Sequence, residues 1–249
     1  MPRRLKFTVA YDGRPFAGWQ SQANGNTIQD VLEQAFARVD GGPLRVHGSG
    51  RTDAGVHALA QTAHADVARM RLTPQMWTAA LNDALPATIR IVRSAYVSDA
   101  FHARFSAKGK MYRYRIWNDR YLSPLEDGRA WHVAAPLDLA RLTRDAQRFV
   151  GEHDFAGFAA NRGRPEQSTI RTIHSARVRQ RGRLITLEFA GDGFLYKMVR
   201  LMVGALVRAA REEAWPDEIS ARLAQPAVSP SQARPAAPAA GLYLVRVFY

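Results

Sequence analysis

The stretch Gly50-Arg51-Thr52-Asp53-Ala54-Gly55-Val56-His57 places a cation and a carboxylate two residues apart between two glycines. Glycine lets the backbone turn sharply and lets a substrate approach closely. An arginine beside an aspartate keeps the acid ionised and can fix its rotamer. A carboxylate held in this way can serve as a nucleophile or as a general base. The same residues also describe an ordinary surface turn with a local ion pair, and spacing alone leaves both readings open.

Two further constellations could bind rather than react. From Lys108 to Arg115, cations interleave with Tyr112 and Tyr114, a pattern suited to stacking on bases beside phosphate contacts. A strand with its tyrosines in the core fits equally well. Alternation puts both rings on one face, so it cannot choose between them. Phe194-Leu195-Tyr196-Lys197-Met198-Val199-Arg200 opens a helix. Helix N-termini attract anions, and Arg200 lies one turn in. A core helix with solvated cations accounts for most of the same residues. His102, His153 and His174 show no metal-ligand spacing. Neither a Walker loop nor a dinucleotide fingerprint is present. We therefore expect no metal, no redox cofactor and no nucleotide.

The 249 residues are 47% apolar and 23% charged, enough for one large domain or two modest ones. Lys and Arg number 35 against 22 Asp and Glu, a formal net charge of +13. A field that positive favours a polyanionic partner through phosphate contacts and counterion release. A solubilising surface is the alternative, and a codon bias toward arginine would also fit, since the lysines are only Lys6, Lys108, Lys110 and Lys197. No cysteine is present, which excludes disulfides, thiolate nucleophiles and zinc–thiolate sites. The N-terminus leads into alternation rather than an apolar run, and the longest apolar stretch, 194–210, is interrupted by Lys197, Arg200 and Arg208. These features predict a cytoplasmic protein with no membrane partner.

The elements that must position these groups follow from periodicity. Leu5, Phe7, Val9 and Tyr11 alternate as a strand with one buried face. Ile28, Val31, Leu32, Ala35, Phe36 and Val39 keep helical spacing, with Thr27 and Asp30 as a capping pair and Gly41-Gly42 as the stop. Strands are predicted over 43–47, 62–67, 89–97, 111–117, 170–179, 184–189 and 242–249, with a hairpin turning at Arg181-Gly182. Helices are predicted from Thr73-Pro74 through Leu81, over 138–150, and over 195–210, the last amphipathic with Val199, Met202, Val203 and Leu206 inside. Residues 224–240, rich in Pro and Ala, read as an irregular connection. The fold class is α+β: mainly antiparallel sheets covered on one side by helices, in two similar halves, 1–105 with the 48–57 loop and 106–249.

Taken in order, these blocks resemble the TruA family of tRNA pseudouridine synthases nearly end to end. Tyr11-Asp12-Gly13, Phe16 and Gly18-Trp19-Gln20 are similar to the family's opening, and Thr27-Ile28-Gln29 with Leu32-Glu33 to its first helix. Gly50 to His57 resembles the catalytic loop, followed by Gln61 at the family's interval. Asn82, Leu85-Pro86, Ile89, then Phe101 to Ser106, then Tyr112-Arg113-Tyr114, continue the match. Gly151, His153-Asp154-Phe155, Phe158, Thr169, Arg171, Gly193-Phe194-Leu195, Met198-Val199-Arg200, Gly204 and Gly241 to Leu244 complete it. Where the family often carries histidine between Leu195 and Met198, this chain has Tyr196-Lys197.

The resemblance implies two RRM- or ferredoxin-like halves joined around a central cleft, with helices on the outer face, in a homodimer. It implies an isomerase that moves the glycosidic bond of uridine from N1 to C5 at positions 38, 39 and 40 of the tRNA anticodon stem-loop, without cofactor. Asp53 falls on the family's nucleophile, forming an adduct at C6 of the base or at C1′ of the ribose. Arg51 falls on the arginine paired with that carboxylate. Tyr112 falls on the residue that stacks on the target base, also associated with removal of the C5 proton. Arg200 falls near the cleft, supporting the acid or a phosphate. The base must be extruded from its helix to react, at a cost of about a few kcal/mol. A non-catalytic RNA chaperone on the same fold would explain the charge and Tyr112 equally well, but gives no reason for the Arg51-Thr52-Asp53 triplet. Methyl transfer would need a cofactor loop and deamination would need zinc ligands, and neither is found.

Overall fold

A computed structural model describes residues 3–23, 25–68, 71–160, 168–211, 217–224 and 235–249. It is an α+β structure with mainly antiparallel strands, as expected. The chain divides into two compact units, residues 1–108 with 243–249, and residues 109–242. The last strand thus returns to the unit in which the chain began rather than staying with the second half. Among the described residues no helix is long and apolar enough to cross a membrane.

The first unit is built on β1 (Arg3–Tyr11), flanked antiparallel by β3 (His57–Val67) and β4 (Ile89–Val97). The far edge of β3 is shared. The two-residue β2 (His47–Gly48) pairs with it at His64 and Ala63, and β10 (Leu242–Phe248) runs parallel to its start, Tyr243 opposite His57. Leu5, Phe7 and Val9 project to one face and are buried there against α1 (Ile28–Asp40) and α2 (Pro74–Ala84). Phe36 is the centre of that core, its ring 5.2 Å from Phe7 and 5.8 Å from Trp77.

Both helices begin where the sequence predicts. The Thr27 hydroxyl accepts from the Asp30 N–H at 3.2 Å and donates to the Asp30 carboxylate at 2.6 Å, and Gly41 closes α1 in a left-handed conformation, φ 89°. Thr73 caps α2 ahead of Pro74. The strand expected over 43–47 does not form; only His47 and Gly48 are strand. Pro43 has no N–H to give, and α1 side chains take the backbone groups that a ladder would use. Glu33 accepts from the Val46 N–H at 3.0 Å and Gln29 donates to its carbonyl at 3.2 Å.

The second unit orders β5 (Gly109–Asn118), β9 (Leu184–Gly191), β8 (Ile170–Arg181) and β7 (Gly151–Asp154), with β6 (Trp131–Val133) parallel to the end of β5. The β8–β9 hairpin turns at Gly182-Arg183, one residue later than expected, with Gly182 at φ +59°. Tyr114, Ile116, Ile185, Leu187 and Phe189 are buried with Leu142 and Ala146 of α3 (Leu139–Gln147). The helix α4 (Met198–Ala210) starts three residues later than predicted, after Lys197 takes φ 58°. It is also not amphipathic: 11 of its 13 residues are buried, all but Arg200 and Arg208. Periodicity shows one apolar face but not that small residues such as Gly204, Ala205 and Ala209 let other chain segments cover the rest. Among the described residues, the strands β6 and β7 and the helix α5 (Glu218–Ala224) went unforeseen. Most of the Pro/Ala-rich stretch, 225–234, lies outside the described residues.

On the helix-free face of the first sheet, His64 is buried between His47 (ring centroids 5.0 Å) and His102 (4.7 Å), and its Nδ1 accepts from the Ala103 N–H at 3.2 Å. Burial, and then the charge of Arg4, push its pKa down from 6.5 to about 4. Folded His64 therefore stays neutral where the unfolded chain takes up a proton. Its contribution to stability is complete above about pH 6.5 and is lost as pH falls toward about 4. Urea unfolding followed across that interval should show stability falling, and His64→Gln should flatten the fall; an unchanged slope in the variant would remove His64 from the account.

Candidate active site

Asp53 sits half-buried in a loop whose backbone is tied on every side within the first unit. Its own carbonyl accepts from the Val56 N–H at 3.1 Å, closing a turn in which Gly55 takes φ +77°. One residue earlier, the Thr52 carbonyl accepts from the Trp19 N–H at 3.0 Å, and the Thr52 hydroxyl lies 2.8 Å from that of Tyr11. The loop's entry is held by Gln61, whose side chain is fully buried. Its Oε1 accepts from the Ser49 hydroxyl at 2.5 Å and its Nε2 donates to the Gly50 carbonyl at 2.9 Å. Ser49 N–H donates to the Thr62 carbonyl at 2.8 Å. Ser49, Thr52, His57 and Gln61 are all buried polar residues, each with a partner. Leaving one such group unpaired costs about 1–3 kcal/mol.

The blocks before the first helix pack directly on this loop. A Cβ at Gly13 would meet the Val56 carbonyl oxygen at 2.1 Å. At Gly18, where φ is +101°, it would meet the Thr52 carbonyl oxygen at 2.8 Å. Two backbones therefore touch where only glycine leaves room. His57 closes the loop, its ring stacked on Tyr243 of β10 at 4.6 Å and its Nδ1 accepting from the Gly13 N–H at 3.2 Å. The Asp12 carboxylate is 3.3 Å from the same nitrogen. Arg14, hydrogen-bonded to Asp12, lowers that acid's pKa, with His57 adding to the effect.

Arg51 is exposed, and its Nε donates to the side-chain Oε1 of Gln20 at 3.2 Å. Gln20 in turn donates to Gln29 at 2.7 Å, so the arginine is anchored to the start of α1. In the second unit Tyr112 is 8% exposed, paired with Phe189 across the ladder and edge-on to Phe194 at 5.0 Å. Tyr114, the other tyrosine, is fully buried, and its hydroxyl donates to the Pro238 carbonyl at 2.6 Å. Of the two, Tyr112 is the less buried. Arg200 is held in the first turn of α4 by a reciprocal clamp: its Nε donates to the Ala237 carbonyl at 2.7 Å, and the Ala237 N–H to its own carbonyl at 3.0 Å.

The model of the family described as tRNA pseudouridine synthase matches residues 8–106 and 146–249. This chain belongs to that family. Proteins named tRNA pseudouridine synthase A are similar to it nearly end to end. That of Akkermansia muciniphila is 49% identical, covering 99% of this chain and 95% of its own length. That of Maridesulfovibrio salexigens is 43% identical over 99% of this chain and 90% of its own. That of Moorella thermoacetica is 43% identical over 98% and 99%. Membership makes the chain an isomerase of the pseudouridine synthase type.

The residues that hold the loop were visible as motifs but carried no role. Tyr11, Gly13, Gly18, Trp19 and Gln61 are spread over fifty positions, and only the fold brings them together. Removing the Gln61 amide should expose this dependence. Gln61→Leu strands the Ser49 hydroxyl and the Gly50 carbonyl and should destabilise the protein by about 1–3 kcal/mol in thermal melting. Pseudouridine formation at a temperature where the variant is fully folded should fall at least about tenfold, since misplacing a reacting group by about 1 Å can cost on the order of a hundredfold. Full turnover in a folded variant would deny Gln61 its positioning role.

Proposed function

We propose that this synthase isomerises uridine to pseudouridine at positions 38, 39 and 40 in the anticodon stem-loop of tRNA, with Asp53 as its nucleophile. Net, the N1–C1′ bond breaks, a C5–C1′ bond forms, C5 loses a proton and N1 gains one, so no atom is exchanged with a cofactor. The observation that carries this reading is the loop itself: a half-buried carboxylate on a backbone tied at Ser49, Gly50, Thr52 and Val56. A carboxylate pre-positioned in this way avoids reorganisation when it attacks. It adds either to C6 of the base or to C1′ of the ribose. Tyr112 stacks on the extruded base, offsetting part of the unstacking cost. Arg200, pre-set by its clamp on Ala237, supports the developing charge or a phosphate. Arg51 serves the carboxylate after leaving Gln20, a contact that is exposed and easily exchanged with solvent. The enzyme acts as a cytoplasmic homodimer.

Purified protein incubated with unmodified tRNA transcript should give pseudouridine at 38 to 40, mapped by carbodiimide labelling and primer extension. Asp53→Asn should lower the rate by at least a factor on the order of 1,000 while tRNA still binds. Retained turnover would reject the nucleophile. Binding by the wild type without conversion would favour a non-catalytic RNA-binding protein. Light scattering should report twice the 27.7 kDa of the chain, and a fully active monomer would reject the dimer.

A further inference from the structure

The second sheet buries one face under helices; its other face carries a row of arginines that the proposed chemistry does not use. In register across the sheet, Arg113 of β5 lies beside Glu188 of β9 and then Arg177 of β8. The next rung is Arg115, Thr186 and Arg179, and the one after is Trp117, Leu184 and Arg181. The neighbours of these residues, Tyr112, Tyr114, Ile116, Ile185, Leu187 and Phe189, turn to the core. Alternation therefore puts Arg177, Arg179 and Arg181 on the helix-free face, and all three are exposed.

Three neighbouring arginines have acids. Arg113 is 2.7 Å from Glu188, Arg115 is 2.7 Å from Glu126, and Arg183 is 2.6 Å from Asp119. Arg177, Arg179 and Arg181 form no ion pair among the described residues. Glu188, the acid nearest Arg177 in register, is already taken by Arg113. Three guanidinium groups at i, i+2 and i+4 of one strand repel one another, and no acid among the described residues pairs with them. Their spacing is set by the backbone: two residues of a strand advance about 6.6–6.8 Å. That is close to the separation of neighbouring phosphates along a nucleic-acid strand. A guanidinium fork is also matched to two phosphate oxygens.

We propose that Arg177, Arg179 and Arg181 form a phosphate-binding rail that holds the sugar–phosphate backbone of the tRNA substrate away from the nucleotide that reacts. The inference rests on the tRNA-modifying reading above and extends it to a second contact surface. A lipid surface is disfavoured because the apolar residues in register with the row, Trp117 and Leu184, are half-buried and not free to insert. A second copy of this chain is disfavoured because it would bring the same unpaired cations face to face. Phosphate contacts position a nucleic acid without reading its sequence. The rail therefore adds affinity for any tRNA and leaves the choice of nucleotide to the catalytic loop.

The test uses the full chain and unmodified full-length tRNA transcript. Binding is measured against salt concentration for the wild type, for R177Q/R179Q/R181Q, for the charge-preserving R177K/R179K/R181K, and for Arg38→Gln on the exposed last turn of α1 as a charge control. The glutamine triple should lower the slope of log affinity against log salt by roughly two to three, about one per lost phosphate contact. It should raise KM at least about tenfold and leave kcat at saturating tRNA unchanged. The lysine triple should keep most of the wild-type slope, and Arg38→Gln should change it least. Should the triple fold poorly, the single reversal Arg179→Glu should weaken binding more than Arg179→Gln does. A slope in the glutamine triple equal to that of Arg38→Gln overturns the rail. So does a change in the mass seen by light scattering, which would make this face an interface between copies. Wild type that binds tRNA but forms no pseudouridine overturns the proposed function alone, because the salt slopes still report on the rail.

Discussion

Everything at the candidate site depends on two backbones being allowed to touch. Gly13 and Gly18 lie against the carbonyl groups of Val56 and Thr52 at distances no side chain would permit. That contact lets the Trp19 N–H reach the Thr52 carbonyl and the Gly13 N–H reach His57. The main chain on both sides of Asp53 is thereby fixed, and with it the place from which the carboxylate is presented. A catalytic carboxylate needs reproducible placement more than it needs stabilisation, and backbone is the stiffest means of supplying it. Ser49, Thr52, His57 and Gln61 are buried around the same loop, out of reach of water. Each must then find a protein partner, which is why this part of the molecule is so densely hydrogen-bonded.

The core beneath serves this arrangement. Phe7, Phe36 and Trp77 hold α1 and α2 on the sheet. α1 in turn carries Gln29 and Glu33, which bind the Val46 backbone and so guide the chain toward Ser49 and Gly50. The polar side chains of one helix replace the strand that periodicity suggests over 43–47. Arg51 belongs to the same relay, through Gln20 to Gln29. Its exposed contact with a neutral amide is weaker than an ion pair, so it can be given up when a polyanion arrives.

Much of this was legible from residue order, and the limits have physical causes. The caps of α1 and α2, the strand over 89–97 and the β8–β9 hairpin follow from local rules that act over a few residues. The short β6 and β7 do not, because three or four residues carry no measurable period. α4 defeats an amphipathic reading because its polar face is not polar: alanine and glycine there are neutral to periodicity yet admit close neighbours. At the site, the motif singled out Asp53, while Gln61 and Gly13 could not be given a task. Their partners stand at 49, 50, 56 and 57, and only tertiary contact makes the pairing. The hydrogen bond from Arg51 to Gln20 was not legible either, since 31 positions separate the two.

The surplus of positive charge is best understood as two separate properties. Many arginines are neutralised locally, as Arg4 is by Asp66, Arg113 by Glu188 and Arg208 by Glu218, and these shape the fold rather than the field. What remains for a partner is the unpaired set, and on β8 that set is ordered by the strand at a fixed repeat. Ordered charge on a rigid sheet differs from the same charge on mobile loops: less side-chain entropy is lost when a phosphate backbone is engaged, and the register of that backbone is set. Such a surface cannot tell one base from another. On the proposed reading, selection of the nucleotide comes from the cost of extruding it and from the fit around Asp53, so that affinity and chemistry can be altered independently in one small enzyme.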